Sequence, residues 1–224
     1  MRPSRFSFAP RRHAGLAVFV GALVALGGVA ATDHLGHSAV AAPPETADGF
    51  RTLRPVADFD GIEDPQARSA ALFREAGKVI ASPRCLNCHP ATDRPTQTDR
   101  MTPHQPIVLR GRDGTGVPGG LRCSSCHQRE NFAASAAPGN PRWAVAPASM
   151  AWQGKTLGEI CRQIKDPKRN GGHHLAEVVH HMAEDDLVGW AWRPGGNRTP
   201  APGTQHEFGE LIKAWAATGA VCPD

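Results

Sequence analysis

Tyrosine is missing from the sequence altogether, the remaining aromatics make up only 6% of it, and no block of basic residues is interleaved with them. Such a chain lacks the stacking platforms and basic grooves that hold nucleic acid, and no nucleic-acid partner is expected. Period-two alternation of apolar and polar residues is also absent, which argues against a sheet-based core. Cysteine is limited to six positions, none of them in a ferredoxin-type cluster, and no molybdopterin site is visible. Charge of one sign is not in excess once the first residues are set aside. Removing residues 1–41 takes four of the 25 basic and one of the 21 acidic side chains, leaving 21 and 20.

Long apolar runs are equally scarce. The one candidate, residues 15–31, follows Arg2, Arg5, Arg11 and Arg12 and precedes the small-residue stretch Ser38-Ala39-Val40-Ala41-Ala42. A basic start, an apolar middle and an A-x-A site make a secretory signal, with cleavage expected near Ala41 or Ala42. The run is short for a bilayer span and rich in glycine and alanine, so a membrane contact is expected only if the signal stays uncleaved. The expected location is the periplasm. Residues 42–63, rich in proline and charge without periodicity, read as a flexible linker, and residues 64–224 as the folded domain.

Against these absences stand two copies of one short motif: Cys85-Leu86-Asn87-Cys88-His89 and Cys123-Ser124-Ser125-Cys126-His127. Two thiols three positions apart reach the two vinyl groups on one porphyrin edge, and the next histidine swings under the iron. The expectation is two haem c groups, with Cys85, Cys88, Cys123 and Cys126 as thioether anchors and His89 and His127 as proximal ligands. A four-cysteine zinc site is the rival, but its cysteine pairs usually stand about 15–20 residues apart, and zinc gives the repeated histidines no reason. Cys161 and Cys222 lie outside both motifs. In an oxidising compartment two leftover cysteines pair, so a Cys161–Cys222 disulfide is expected.

Helical signals dominate the rest. Leu72, Ala76, Val79 and Ile80 form an apolar stripe ending at Ser82-Pro83, just before the first motif. Thr156-x-x-Glu159 and Thr204-x-x-Glu207 are capping boxes, each followed by apolar residues at helical spacing; Leu175, Val178, Val179 and Met182 make a further stripe. Residues 90–120 and 133–154, rich in proline and glycine, read as loops. The fold class is all-α: cytochrome c-like helices with long irregular loops packed around two covalently bound haems. Twenty prolines and 24 glycines leave a thin core that the haem plates complete, so the haem-free chain is expected to fold poorly.

The ligand opposite each proximal histidine decides whether an iron carries electrons or binds small molecules. Candidates are Met101, His104, Met150, His173, His174, His180, His181, Met182 and His206. On the 175–182 helix a 100° step places Met182 in the apolar stripe and His181 on its flank, with His180 on the opposite side. His104 sits in a proline-flanked loop upstream of the second motif. His104, His181 and Met182 are the leading distal candidates, and Met182 has core packing as its plainer role. Arg110, Arg112, Arg162, Lys165, Lys168 and Arg169 are candidates for propionate pairing or a docking rim, with plain solvation the alternative for each.

The segments 138–143 and 160–172, the run His180-His181-Met182 and residues 187–192 resemble a family of exported c-type cytochromes labelled as subunits of isoquinoline 1-oxidoreductase, a molybdenum hydroxylase. The resemblance covers most of the chain after the signal. It implies an electron-transfer subunit that takes electrons from a molybdenum hydroxylase or other dehydrogenase and passes them to a respiratory cytochrome or oxidase. The alternative is an enzyme: a dihaem peroxidase, or another small-molecule haem catalyst, with one open iron.

Overall fold

The computed structural model describes residues 52–116 and 122–224. The expected signal, 1–41, and residues 42–51 of the expected linker lie outside the described residues. Six helices carry the architecture: α1 Pro65–Ile80, α2 Pro83–Leu86, α3 Leu157–Lys165, α4 Leu175–Glu184, α5 Asp186–Gly189 and α6 Gln205–Ala217. The strands are two residues each, β1 Thr96–Gln97 and β2 Thr102–Pro103, paired antiparallel inside the long loop between α2 and α3.

The helix starts follow from their sequences. Asp64 accepts the amides of Gln66 and Ala67 ahead of Pro65, whose missing N–H costs nothing in the first turn. Thr156 and Thr204 exchange hydrogen bonds with Glu159 and Glu207 in reciprocal capping boxes. Helix α3 stops at Asp166, one residue before Pro167.

The core lies where α1, α4 and α6 meet. Leu72, Phe73, Ala76, Val79 and Ile80 of α1 face Phe208, Leu211, Ile212 and Trp215 of α6, with Ile160, Cys161 and Ile164 of α3 closing one side. Phe73 and Trp215 pack with ring centroids 4.8 Å apart. Helices α4 and α6 approach so closely that a Cβ on Gly209 would stand 2.9 Å from that of Ala183. The chain beyond α6 folds back onto this core: Ser69 donates to Trp215 O and accepts from Val221, while Lys165 Nζ reaches Ala220 O at 2.7 Å. Cys161 and Cys222 are joined, their Cα atoms 5.5 Å apart.

Residues 52–63 differ from a flexible linker. Leu53 and Phe59 are buried in the core, Val56–Phe59 forms a 3-10 turn, and the Arg54 amide donates to Glu75 Oε1 at 2.9 Å. Two apolar side chains six positions apart suffice to dock such a segment, yet they are too few to set up a period that sequence reading can detect. Among the described residues no helix is long and apolar enough to cross a membrane.

Candidate functional site

The two Cys-x-x-Cys-His segments are wound alike. The amide of the second cysteine donates to the carbonyl of the first at 3.1 Å in one segment and 3.2 Å in the other, and the histidine amides donate to the same carbonyls at 3.1 and 2.9 Å. One helical turn thus brings both thiols of a pair to one side. In the first segment that turn continues α2, which Ser82 and Pro83 start directly after α1, so Cys85 and Leu86 rest on the helical core. The second segment begins as a 3-10 turn, Cys123–Ser125, with loop on either side.

Each motif histidine is oriented by a distant carbonyl and a tryptophan. His89 Nδ1 lies 2.7 Å from Met150 O and His127 Nδ1 lies 2.8 Å from Pro138 O. A carbonyl only accepts, so Nδ1 carries the proton and Nε2 keeps a free lone pair, the tautomer a metal-binding imidazole needs. Trp152 stacks on His89 at 3.5 Å and 6°, and Trp143 stacks on His127 at 4.8 Å and 17°. Burial pushes the His89 pKa down to about 4 against the pull of the Met150 carbonyl, with His181 and Arg110 adding to the fall. His127 is lowered for the same leading reason, helped by His104 and Arg198. Both rings are therefore neutral near pH 7. Burial also holds the Cys85 thiol up at about 12 and the Cys88 thiol at about 11.

The candidate distal ligands separate into three groups. His104 stands against His127, ring centroids 5.9 Å apart and 61° between planes. His104 Nδ1 is occupied by Pro106 O at 2.9 Å, and Arg94 grips the His104 carbonyl. His181 lies on the rim of α4, near enough for its charge to act on His89. Its Nδ1 pairs with Asp185 Oδ2 at 3.1 Å, while Asp185 caps α5 and is gripped by both terminal nitrogens of Arg142. A carboxylate behind an imidazole is a common second layer around bound metal. Met182, by contrast, belongs to the core, as does Val178 one turn earlier.

The other candidates stand apart. His180 pairs with Glu184 in solvent, His173, His174 and His206 are exposed, and Met101 is exposed in a left-handed backbone conformation. Met150 contributes its carbonyl to His89 while its side chain packs on the core. Among the described residues no three His, Cys, Asp or Glu side chains converge as a metal-binding group, so the motif thiols form two pairs and not one cluster of four.

Of the arginines singled out by sequence, Arg110 is buried and engaged by Asp93 and the carbonyls of Pro90 and Thr92. Sequence reading passed over Arg84, which is buried beside Cys85, paired with Asp99 and 5.9 Å over the Trp190 ring. It also passed over the stacking roles of Trp143 and Trp152. Their distances along the chain from the histidines leave no local signal.

No protein-family model matches the chain, and it matches no curated protein and no solved structure.

Proposed function

We propose that this chain is a periplasmic dihaem c-type cytochrome that carries electrons one at a time. Its donor would be a dehydrogenase or hydroxylase, with a molybdenum hydroxylase favoured by the family resemblance, and its acceptor a respiratory cytochrome or oxidase. The observation that carries the reading is the shared posture of His89 and His127: each is neutral, with Nδ1 tied to a carbonyl and a tryptophan against its face. Cys85 and Cys88 would hold one haem, and Cys123 and Cys126 the other. Haem c supplies an iron that changes oxidation state by one electron without exchanging atoms. The chain's own residues do the rest. Trp152 and Trp143 would keep the proximal rings from turning, Asp185 would hold His181 for the first site, and Arg94 with the Pro106 carbonyl would hold His104 for the second. His104 and His181 are the residues that would fill the distal positions, and with imidazole there neither iron would be open to peroxide.

Intact mass and one visible and near-infrared spectrum of the holoprotein test this. The expected result is a mass gain of two haems, low-spin bands in both oxidation states and no methionine–iron band in the far red. A chain exported without haem overturns the reading. Rapid carbon monoxide binding to the reduced protein would replace the electron carrier with an enzyme that has an open iron.

A further inference from the structure

The two attachment segments are linked through one short stretch of backbone. Val145 and Ala146 are consecutive: Ala146 donates to Cys88 O at 2.9 Å, inside the first segment, and Val145 donates to Gly114 O at 2.9 Å, in the loop that leads to the second. The Cys123 sulfur stands 3.8 Å from that same Gly114 oxygen, and the Cys123 amide donates to Thr115 O at 2.9 Å. Gly114 has φ +76, and a Cβ on it would stand 2.3 Å from Val145 O. Only glycine admits a neighbour that close with that backbone.

A thioether fixes the edge of a porphyrin to its cysteine sulfur, so the spacing of Cys88 and Cys123 sets the spacing of the two thioether edges. Resting on the dihaem reading, we propose that Val145, Ala146 and Gly114 are positioning residues that hold the two haems edge to edge across Cys88 and Cys123. The chain then works as one relay and not as two separate carriers. Haem bound at both segments would supply one-electron chemistry in which an electron passed from the first iron to the second oxidises the one as it reduces the other, with no proton or atom moved. The Val145 strut keeps that gap short and constant.

Circular dichroism in the Soret band, read on holoprotein whose two haems have been counted by intact mass, tests the proposal. Haems held edge to edge couple their transitions and give a two-signed couplet. The wild type is expected to show it, and a single-signed band from a protein that carries both haems overturns the proposal. In Gly114→Val the side chain forces Val145 away, and in Val145→Pro the amide donor is gone; both are expected to lose the couplet while keeping two haems. Gly172→Ala places the same backbone strain, φ +87, where nothing lies within 4 Å, and its couplet should match the wild type. A couplet undiminished in both strut variants overturns the positioning role even if the wild type shows one. A wild-type chain without haem mass fails the dihaem reading instead, and the two failures are told apart before the spectrum is taken.

Discussion

The two Cys-x-x-Cys-His segments share a turn, a carbonyl partner and a stacked tryptophan, yet they live in unlike surroundings. The first grows out of α2 against the helical core; burial shifts its thiols and histidine far, and Trp152 is only 6% exposed. The second is assembled from loops, with Cys126 exposed and Trp143 half-buried, and the exposed large apolar side chains among the described residues, Met101, Ile107 and Phe132, all flank His104 or His127 in sequence. Identical local chemistry thus acquires different behaviour from its packing. A haem in the first site would meet a low dielectric that disfavours the more highly charged ferric state, and so would sit at higher potential than one in the second.

On the proposed dihaem reading, removing a candidate distal ligand is the sharpest way to break this comparison. His104→Ala should convert the second haem alone to a high-spin, carbon monoxide-binding site, and His181→Ala the first, read by absorbance of the reduced protein. Met182→Leu should leave both spectra unchanged, because Met182 belongs to the core.

Stability changes follow in order of size. Loss of the Cys161–Cys222 bond, which closes a sequence separation of 61, should lower unfolding free energy by about 4 kcal/mol on the chain-entropy account. Urea unfolding of the Cys161→Ser/Cys222→Ser pair measures it, and the loss should fall on the helical side, since the bond lies between α3 and the chain beyond α6. Trp152→Ala should cost about 3 kcal/mol as a buried aromatic, and Trp143→Ala about 1 kcal/mol at its half-exposed site. Equal costs would erase the distinction between the sites.

The smallest effect is at Asp185. Burial alone would raise its carboxyl, but the Arg142 guanidinium, the Leu187 amide and His181 outweigh that and lower it. Its folded value being depressed, its contribution is complete above the unfolded carboxylate range near about 3.9 and is lost as pH falls below that. Asp185→Ala should cost about 1 kcal/mol as a lost helix cap and flatten the acid limb of the stability profile. It should also loosen His181 enough for added imidazole to exchange at the first site and not at the second.

The helical half of this structure was legible because its signals are local. Asp64-Pro65, Thr156 with Glu159, and Thr204 with Glu207 each announce a helix within four residues, and the stripe at Leu72, Ala76, Val79 and Ile80 states which face is inward. The disulfide came from arithmetic on leftover thiols. His104 stands out in the sequence through its proline-flanked loop, and the structure puts its ring 5.9 Å from that of His127. What stayed hidden depends on chain returning from afar: Met150 O meets His89 across 61 residues, and Thr199 meets Asp99 across 100. A periodicity reports a face but not the partner that covers it. His181 and Met182 show how far a local signal reaches: a 100° step puts Met182 on the apolar stripe and His181 on its flank, and the structure has Met182 in the core and His181 at its rim.

The bond between α3 and the chain beyond α6 also orders events in synthesis. Cys222 is the last of the six cysteines in the sequence, so Cys161 has no lasting partner until residue 222 has been made. Through that interval any oxidant meets Cys161 alongside the thiols of Cys85, Cys88, Cys123 and Cys126. Closure of the pair therefore marks a chain made at least as far as residue 222, and one cut short of it carries an unmatched thiol.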